Sequence, residues 1–300
     1  MGKTAFVFAG QGAQTVGMGR DLYDHFESVR VFFDTSGDFR DLCFDGPKEQ
    51  LDVTINTQPA VFLVDLAASI ALSENGVNAD GVAGFSLGEI PAASYAGFLT
   101  RTQAFDFVRH RAGAMQACAE KHKGSMYAVL RLSADLVDEI CNSLTGVYPA
   151  NYNAPGQTVV ACAESFADEL QHAVSENGGK SVELAVSGAF HSPFMDDASE
   201  SVAAYLNSVS FGAMQVPLYS NATAVIYDDP KALLTRQVNH PVLWQKTIDN
   251  MCSDGFDTFI ELGPGKTLTG LIKKINPDVN ICNVSDMQSL EKTLEGYKNA

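Results

Sequence analysis

The stretch DGVAGFSLGEIPAAS, residues 80–94, decides the fold because it joins an apolar strand to a helix through a serine between two glycines. The short apolar segment is typical of a strand covered on both faces of a parallel sheet, and the small residues after it predict a helix. Gly84 and Gly88 flank Ser86 in the Gly-x-Ser-x-Gly pattern of a nucleophile elbow. A serine there is also a favoured helix N-cap, so the pentapeptide alone leaves both roles open.

Bulk composition limits the class of protein. The chain has 300 residues, of which 46% are hydrophobic, and this is enough for one large domain or two modest ones. Its longest apolar run, AVFLVDLAASIAL, is interrupted by Asp65 and is shorter than the ~20 residues of a membrane-spanning helix. The net charge of −16 argues against a nucleic-acid partner, since phosphate backbones require clustered cations. We expect a soluble protein with neither a membrane nor a nucleic acid as partner.

Cysteine spacing and the start of the chain indicate the compartment. The six cysteines are scattered without paired spacing, so neither a disulfide framework nor a metal site is predicted. The opening MGKTAFVFAG predicts a buried strand and lacks the order of regions found in a targeting peptide. A cytoplasmic location is the simplest expectation.

The order of predicted elements indicates an α/β fold with an insertion. Strands and helices alternate up to about residue 123, as in a parallel sheet with helical crossovers. From residue 124 the pattern becomes βαββαβ, the order of a ferredoxin-like subdomain. We therefore predict an α/β domain formed by residues 1–123 and 188–300, interrupted by a ferredoxin-like subdomain at 124–187.

A serine nucleophile needs a base, and His191 in SGAFHSPFM has the most suitable setting of the six histidines. It follows a predicted strand and precedes a helix expected to begin near Ser192. A helix N-terminus disfavours an imidazolium, which would keep the ring neutral and able to accept a proton. An ordinary surface or core histidine remains the alternative.

Arg111 falls on the apolar stripe of a predicted helix. Ala104, Val108 and Met115 share its face at helical spacing. A guanidinium among core-facing positions must pair with an anion, because an unpaired buried charge is prohibitively costly. That anion is either an internal carboxylate or the carboxylate of a substrate, and position alone favours neither.

Two glycine-rich stretches fail as phosphate loops. In AGQGAQTVG, Thr15 stands in place of the third glycine of a dinucleotide fingerprint. ELGPGKT ends like a Walker motif, but the residue before it, Ile260, stands where that motif begins with glycine. The first loop follows the first strand, where it offers backbone N–H groups beside the elbow. In elbow enzymes such a loop supplies one oxyanion donor, and the residue after the serine, here Leu87, supplies the other.

Seven separated motifs, taken in order, resemble the malonyl-CoA:acyl carrier protein transacylases, the acyltransferase family of fatty acid and polyketide synthesis. The resemblance covers essentially the whole chain. The motifs are FVFAGQGAQTVGMG (6–19), GFSLGE (84–89), RHRAGAMQ (109–116), NYNAPGQTVV (151–160), GAFHSPFM (188–195), RQVNHPVLW (236–244) and IELGPGKTLTGLIKKI (260–275).

The resemblance implies a fold and a mechanism. The fold would be an α/β-hydrolase-like core with the ferredoxin-like insert. Ser86 would carry the acyl group and His191 would shuttle its proton. The backbone N–H groups of Gln11 and Leu87 would form the oxyanion hole, and the backbone carbonyl of Gln237 would orient the histidine.

The resemblance also implies the substrates. Arg111 would bind the malonyl carboxylate, Phe190 would crowd an α-methyl branch and so favour malonyl over methylmalonyl, and Asn153 would line the substrate pocket. Malonyl-CoA and a phosphopantetheinyl carrier are substrates in such a cycle, which needs no cofactor and no metal. Since acyl carrier proteins are acidic, we expect docking near the lysines Lys266, Lys273 and Lys274.

One position departs from the family. Its elbow carries a histidine before the serine, and this chain has Phe85. Any hydrogen bond of that histidine must be lost or replaced. Besides malonyl transfer for fatty acid synthesis, three alternatives stay open: a trans-acting acyltransferase of a polyketide pathway, a serine thioesterase or hydrolase using the same elbow, and a non-catalytic acyl-thioester sensor.

Overall fold

The computed structural model describes residues 2–299 and arranges nine strands in two sheets. The strands are β1 (Lys3–Phe8), β2 (Gly81–Gly84), β3 (Gly124–Leu130), β4 (Val147–Ala154), β5 (Gln157–Ala163), β6 (Lys180–Glu183), β7 (Leu218–Tyr219), β8 (Phe256–Leu262) and β9 (Asn280–Val284). The helices are α1 (Arg20–His25), α2 (Glu27–Asp34), α3 (Asp38–Asp45), α4 (Lys48–Leu51), α5 (Thr54–Glu74), α6 (Glu89–Tyr95), α7 (Arg101–Lys121), α8 (Ala134–Ser143), α9 (Ala167–Glu176), α10 (Asp196–Leu206), α11 (Pro230–Arg236), α12 (Trp244–Ser253), α13 (Thr267–Ile275) and α14 (Met287–Asn299).

The larger sheet has five parallel strands in the order β7-β2-β1-β8-β9. Alternate side chains of β1 enter two different cores, Phe6 and Phe8 on one face and Ala5 and Val7 on the other. Burial on both faces explains why the strand is apolar throughout instead of alternating. The predicted mixed α/β fold with a parallel sheet is confirmed.

The smaller sheet is antiparallel, with the order β4-β5-β3-β6. One face packs against α8 and α9 and forms its own core. The other face contributes Met126 and Val159 to the large core that includes Phe6 and Phe8. The two sheets therefore share a core, and a ligand site between them is walled by both.

Helix α5 satisfies the length and composition of a membrane span. It covers Thr54–Glu74, and 89% of the candidate window is buried inside the protein, as in the core helix of a soluble protein. All six cysteines are free thiols. Among residues 2–299, no group of three or more potential metal ligands is found.

Candidate active site

The turn between β2 and α6 places Ser86 at the carboxyl edge of the parallel sheet. Ser86 has φ 54°, in the left-handed region that non-glycine residues adopt only under local constraint. A Cβ at Gly84 would lie 1.9 Å from the carbonyl carbon of Gly88, and one at Gly88 would lie 2.3 Å from the carbonyl oxygen of Phe8. Only glycine fits at these two positions, so the pentapeptide spacing follows from backbone packing.

Two side chains from distant parts of the chain hold this turn. Asn221 accepts the backbone N–H of Ser86 through Oδ1 at 2.8 Å and donates from Nδ2 to the carbonyl of Gly84 at 2.6 Å. Gln237 donates from Nε2 to the carbonyl of Ser86 at 2.5 Å. Asn221 is not among the predicted site residues, and its one local signal is its position just after β7.

His191 lies directly against the serine. Its Nε2 is 2.6 Å from Ser86 Oγ, and its Nδ1 is 2.9 Å from the backbone carbonyl of Gln237. A proton on Nδ1 satisfies the carbonyl and leaves Nε2 free to accept from the hydroxyl. His191 also has a positive φ, 56°, so both partners of this hydrogen bond sit in constrained backbone.

Burial is the main reason why the imidazole is neutral. A 3₁₀ turn, Pro193–Met195, separates His191 from α10, and the Ser192 hydroxyl donates to the carbonyl of Ala189 instead of capping a helix. His191 is 3% exposed. Burial and then the positive charge of Arg111 lower its pKa to about 3. The helical stretch after His191 begins as predicted, with Ser192 at the N-cap position and Pro193 at the first helical position, although its first turn is 3₁₀.

Arg111 is 1% exposed and points at the same serine. Nη1 donates to Gln58 Oε1 at 2.6 Å, and Nη2 donates to Gln237 Oε1 at 2.8 Å and to Ser86 Oγ at 3.3 Å. None of the ion pairs found among residues 2–299 includes this guanidinium. Burial lowers its pKa only to about 10, so it stays charged at neutral pH. Among the described residues, no internal carboxylate lies within ion-pair distance of this guanidinium.

Glu89, the first residue of α6, is a buried acid that is not among the predicted site residues. Its Oε1 accepts from the backbone N–H of Asn221 at 2.8 Å and from the hydroxyl of Tyr227 at 2.7 Å. Its Oε2 is buried without a hydrogen-bond partner. Burial raises the pKa of Glu89 to about 7 against the opposing effects of these hydrogen bonds, Gln237 and Arg111.

A cavity of about 160 Å³ lies between the two sheets, and Ser86 and His191 are in its wall. Gln11, Phe190 and Asn153 line it as well, in agreement with their predicted location near the serine. Asn153 is 7% exposed, and its Oδ1 has no hydrogen-bond partner. The cavity thus combines the serine and the base with an unsatisfied amide oxygen that can accept from a ligand.

The two predicted oxyanion donors flank the serine. Gln11 lies in the loop after β1, lines the cavity, and fixes its side chain by donating from Nε2 to Thr54 Oγ1 at 3.1 Å. That loop touches the elbow, because a Cβ at Gly10 would lie 2.7 Å from the carbonyl oxygen of Phe85. Leu87 is fully buried as the next residue after Ser86. This arrangement brings the loop after β1 and the residue after the serine to one edge of the sheet.

Phe85, the residue before the serine, makes an aromatic contact with Trp244. Its ring meets the indole of Trp244 edge-on, with centroids 5.4 Å apart and an interplanar angle of 74°. The indole Nε1 is buried without a hydrogen-bond partner. The turn is nevertheless held by Asn221 and Gln237, so the phenylalanine does not leave the serine unsupported.

The three predicted docking lysines are not all at the same opening. Lys274 donates from Nζ to Gln157 Oε1 at 3.0 Å, and Gln157 lines the serine cavity. Lys273 is exposed beside it at the end of α13. Lys266 lines a different cleft of about 390 Å³, which it shares with Lys292. The cationic rim of the serine cavity is therefore formed by the end of α13.

Comparisons with known proteins give likenesses over nearly the whole chain. The family model described as "Acyl transferase domain" matches residues 5–290. A "Malonyl CoA-acyl carrier protein transacylase" of Bacillus subtilis (strain 168) is 34% identical over 311 residues, covering 99% of this chain and 98% of the relative. The crystal structure of the transacylase from Clostridium perfringens has a TM-score of 0.96 at 38% identity and covers 99% of this chain and 98% of that one. A malonyl-transacylase in complex with its type II polyketide acyl-carrier protein has a TM-score of 0.93 at 32% identity, covering 98% and 99%.

Proposed function

This chain belongs to the malonyl-CoA:acyl carrier protein transacylase family of acyltransferases, and we propose that it transfers a malonyl group from malonyl-CoA to the phosphopantetheine thiol of an acyl carrier protein. One observation carries the proposal. The hydroxyl of Ser86 lies within hydrogen-bond reach of both the imidazole of His191 and the guanidinium of Arg111. A nucleophile, a base and a carboxylate-binding cation in one cluster match the chemistry of a charged acyl thioester.

In the first half-reaction, Ser86 attacks the thioester carbonyl of malonyl-CoA. His191 accepts the hydroxyl proton on Nε2 while its Nδ1–H remains on the Gln237 carbonyl. The backbone N–H groups of Gln11 and Leu87 bind the developing oxyanion. Collapse of the intermediate breaks the carbon–sulfur bond, and His191 returns the proton to the CoA thiolate, leaving malonyl-Ser86 and free CoA.

Arg111 supplies the selectivity for a diacid. Its Nη2 already approaches Ser86 Oγ to 3.3 Å, so an acyl group on that oxygen is formed beside the guanidinium. A malonyl carboxylate would replace neutral amide oxygens as acceptor of the guanidinium fork, gaining charge-assisted hydrogen bonds in a buried site. Fixing the acyl group this way favours transfer over hydrolysis.

The second half-reaction delivers the malonyl group to a carrier. The carrier thiol attacks malonyl-Ser86 with His191 as base, and the serine is regenerated with its proton, which completes a ping-pong cycle without a cofactor. The exposed ammonium groups of Lys273 and Lys274, with Lys266 further along the surface, would attract the acidic carrier. The position of Lys274 at the cavity rim supports this docking direction.

Phe190 and Asn153 would shape the pocket around the acyl group. Phe190 is buried in the cavity wall one residue before His191, where its ring would clash with an α-methyl branch and favour malonyl over methylmalonyl. The free Oδ1 of Asn153 would accept from an amide N–H of the pantetheine arm.

The domain division follows the two sheets. The α/β-hydrolase-like catalytic domain comprises residues 1–123 and 188–300, and the ferredoxin-like subdomain comprises residues 124–187. The order β4-β5-β3-β6 and the βαββαβ succession of its elements support the second assignment. The first is supported by the serine turn at the carboxyl edge of the parallel sheet.

The pathway and location complete the proposal. We assign the activity to fatty acid synthesis in the cytoplasm, an assignment supported by the names of the relatives and by six free cysteines. A polyketide carrier is the second candidate acceptor, because one similar structure holds such a carrier. A thioesterase is disfavoured, since His191 is oriented by a carbonyl and no carboxylate is among its hydrogen-bond partners in the described part of the chain.

Intact-mass analysis after brief exposure to malonyl-CoA tests the proposal. The wild type should gain one malonyl group, S86A should gain none, and addition of a holo carrier should remove the group from the wild type. Parallel reactions with acetyl-CoA and methylmalonyl-CoA test Arg111 and Phe190, and fatty acid and polyketide carriers offered in competition test the pathway. Release of free malonate with carrier present, or labelling of S86A, would contradict the proposed transfer.

A further inference from the structure

The charge of Arg111 is not balanced by its immediate partners. The guanidinium donates to Gln58, Gln237 and Ser86, all through neutral oxygens, and its Nε is buried without a partner. A buried cation without an anion nearby is strongly destabilised. Some ionised group in the surrounding protein must therefore offset it before substrate arrives.

Glu89 is the acid placed to do so. It is fully buried, and hydrogen bonds join it to Arg111 through the serine turn: Asn221 donates its backbone N–H to Glu89 and accepts that of Ser86, and Arg111 donates to Ser86 Oγ. Each of the two charges shifts the pKa of the other group. The Gln237 side chain links the two groups, since Oε1 accepts from Arg111 and the amide lowers the pKa of Glu89. One carboxyl oxygen of Glu89 is satisfied by two donors and the other by none, so the ionised form is only partly stabilised.

We infer that Glu89 is the counter-charge of Arg111 in the free enzyme and takes up a proton when the malonyl carboxylate reaches Arg111. The inference rests on the proposed malonyl transfer. Two carboxylates facing one guanidinium would leave an excess negative charge in a buried site. Protonation of Glu89 removes that excess and leaves the substrate carboxylate as the sole anion on Arg111.

The other titratable groups that face Glu89 do not change charge near neutral pH. From α7, Arg111 has a pKa of about 10 and stays protonated, and burial keeps the pKa of Tyr227 well above its usual value, so the phenol stays neutral. His191, which contacts Ser86 in the same site, has a pKa of about 3 and stays neutral as well. Glu89, with a pKa of about 7, is the group in this cluster that can exchange a proton.

The inference predicts how acylation depends on pH. Acylation moves the serine proton to the CoA thiol. Because this thiol stays protonated below its ordinary pKa of ~8.5, the chemical step itself takes up no proton from solvent. The equilibrium constant of acylation, K, is the product of the malonyl-enzyme and CoA concentrations divided by the product of the free-enzyme and malonyl-CoA concentrations. If Glu89 takes up a proton, K falls as pH rises above about 7, approaching tenfold per unit, because the free enzyme is then stabilised by ionised Glu89.

The experiment measures K by intact mass at fixed malonyl-CoA to CoA ratios from pH 6 to pH 8. In the wild type, K should fall several-fold to about tenfold between pH 7 and pH 8. E89Q keeps the shape and the acceptor oxygen but cannot ionise, so its K should be independent of pH over this range. Y227F removes a donor to ionised Glu89, raises its pKa, and should move the fall in K to higher pH.

Equal pH dependence of K in the wild type and E89Q would overturn the inference, whether both were flat or both sloped. If K of Y227F begins to fall at the same pH as K of the wild type, the inference is also overturned. This second variant keeps the inference testable if E89Q does not fold. Absence of any malonyl adduct on the wild type would contradict the proposed function itself, and that result is distinct from an adduct with unexpected pH dependence.

Discussion

Gln237 holds the guanidinium of Arg111 through its side-chain oxygen at a distance of 2.8 Å. The same residue accepts the Nδ1–H of His191 through its backbone carbonyl at 2.9 Å. One residue therefore sets the position of both the base and the cation. A shift of this residue would move the imidazole and the guanidinium together relative to Ser86.

The side chain and the carbonyl of Gln237 can be separated by mutation. Q237A keeps the carbonyl that orients His191 and removes both the acceptor of Arg111 and the donor to the Ser86 carbonyl. We expect KM for malonyl-CoA to rise about tenfold with a smaller change in kcat, since a misplaced buried donor costs about 1–3 kcal/mol. Steady-state kinetics measure the split, with Q58A as the matched variant for the other acceptor of Arg111. A loss confined to kcat would contradict this expectation and assign the side chain to the support of the Ser86 turn instead.

Removal of the guanidinium should change the substrate preference. R111A is expected to lower kcat/KM for malonyl-CoA about a hundredfold or more, because a desolvated charge pair contributes several kcal/mol. Reaction with acetyl-CoA, which has no carboxylate, should be affected much less or improve. The measurement is the ratio of kcat/KM for the two thioesters in R111A and in the wild type. An unchanged ratio would contradict the carboxylate role of Arg111.

The pKa of His191 leads to a prediction about acid pH. A base with a pKa of about 3 stays unprotonated throughout the acid range, so the acylation rate should not fall between pH 7 and pH 5. A histidine of ordinary pKa would lose most of its activity over that interval, since its protonated form cannot accept the serine proton. Rapid-quench measurement of malonyl-Ser86 formation distinguishes the two. A rate that halves near pH 6.5 would show that His191 is not desolvated in the working enzyme.

Local packing made the serine turn predictable. Gly84 and Gly88 are required by contacts within a few residues of the elbow and with the neighbouring strand, so their spacing is visible in the sequence. The same is true of β1, whose apolar residues are needed by the two cores that it separates. Fold class followed from such short-range patterns.

Contacts between distant segments were not predictable. Asn221 and Glu89 meet across more than a hundred residues, and neither has a local signal beyond its place next to a strand end or at a helix start. A glutamate in the first turn of a helix is ordinarily exposed, so only the structure reveals that Glu89 is buried. The extent to which burial lowers the pKa of His191 was not predictable, because desolvation depends on the whole assembled site.

Asp65 in α5 gives a prediction about stability. Its carboxyl is fully buried, both oxygens lack hydrogen-bond partners, and a Cβ at Gly263 would lie 1.8 Å from Oδ1. Burial, and then the charge of Glu261, raise the pKa of Asp65 well above its usual value. The folded state therefore binds this proton more tightly than the unfolded chain. The Asp65 contribution to the free energy of unfolding is largest below the unfolded pKa of ~3.9 and declines as pH rises towards the folded pKa.

D65N removes this titration while keeping the size of the side chain. We expect the free energy of unfolding of D65N minus that of the wild type to increase with pH by up to about 1.4 kcal/mol per unit between pH 5 and pH 7. Urea unfolding of both proteins at pH 5, 6 and 7 measures the difference, and every other carboxyl cancels in the subtraction. Malonylation of Ser86 in D65N serves as the control for an intact site. A difference that stays constant across the three pH values would mean that Asp65 is ionised in the folded protein, with a partner that offsets its burial.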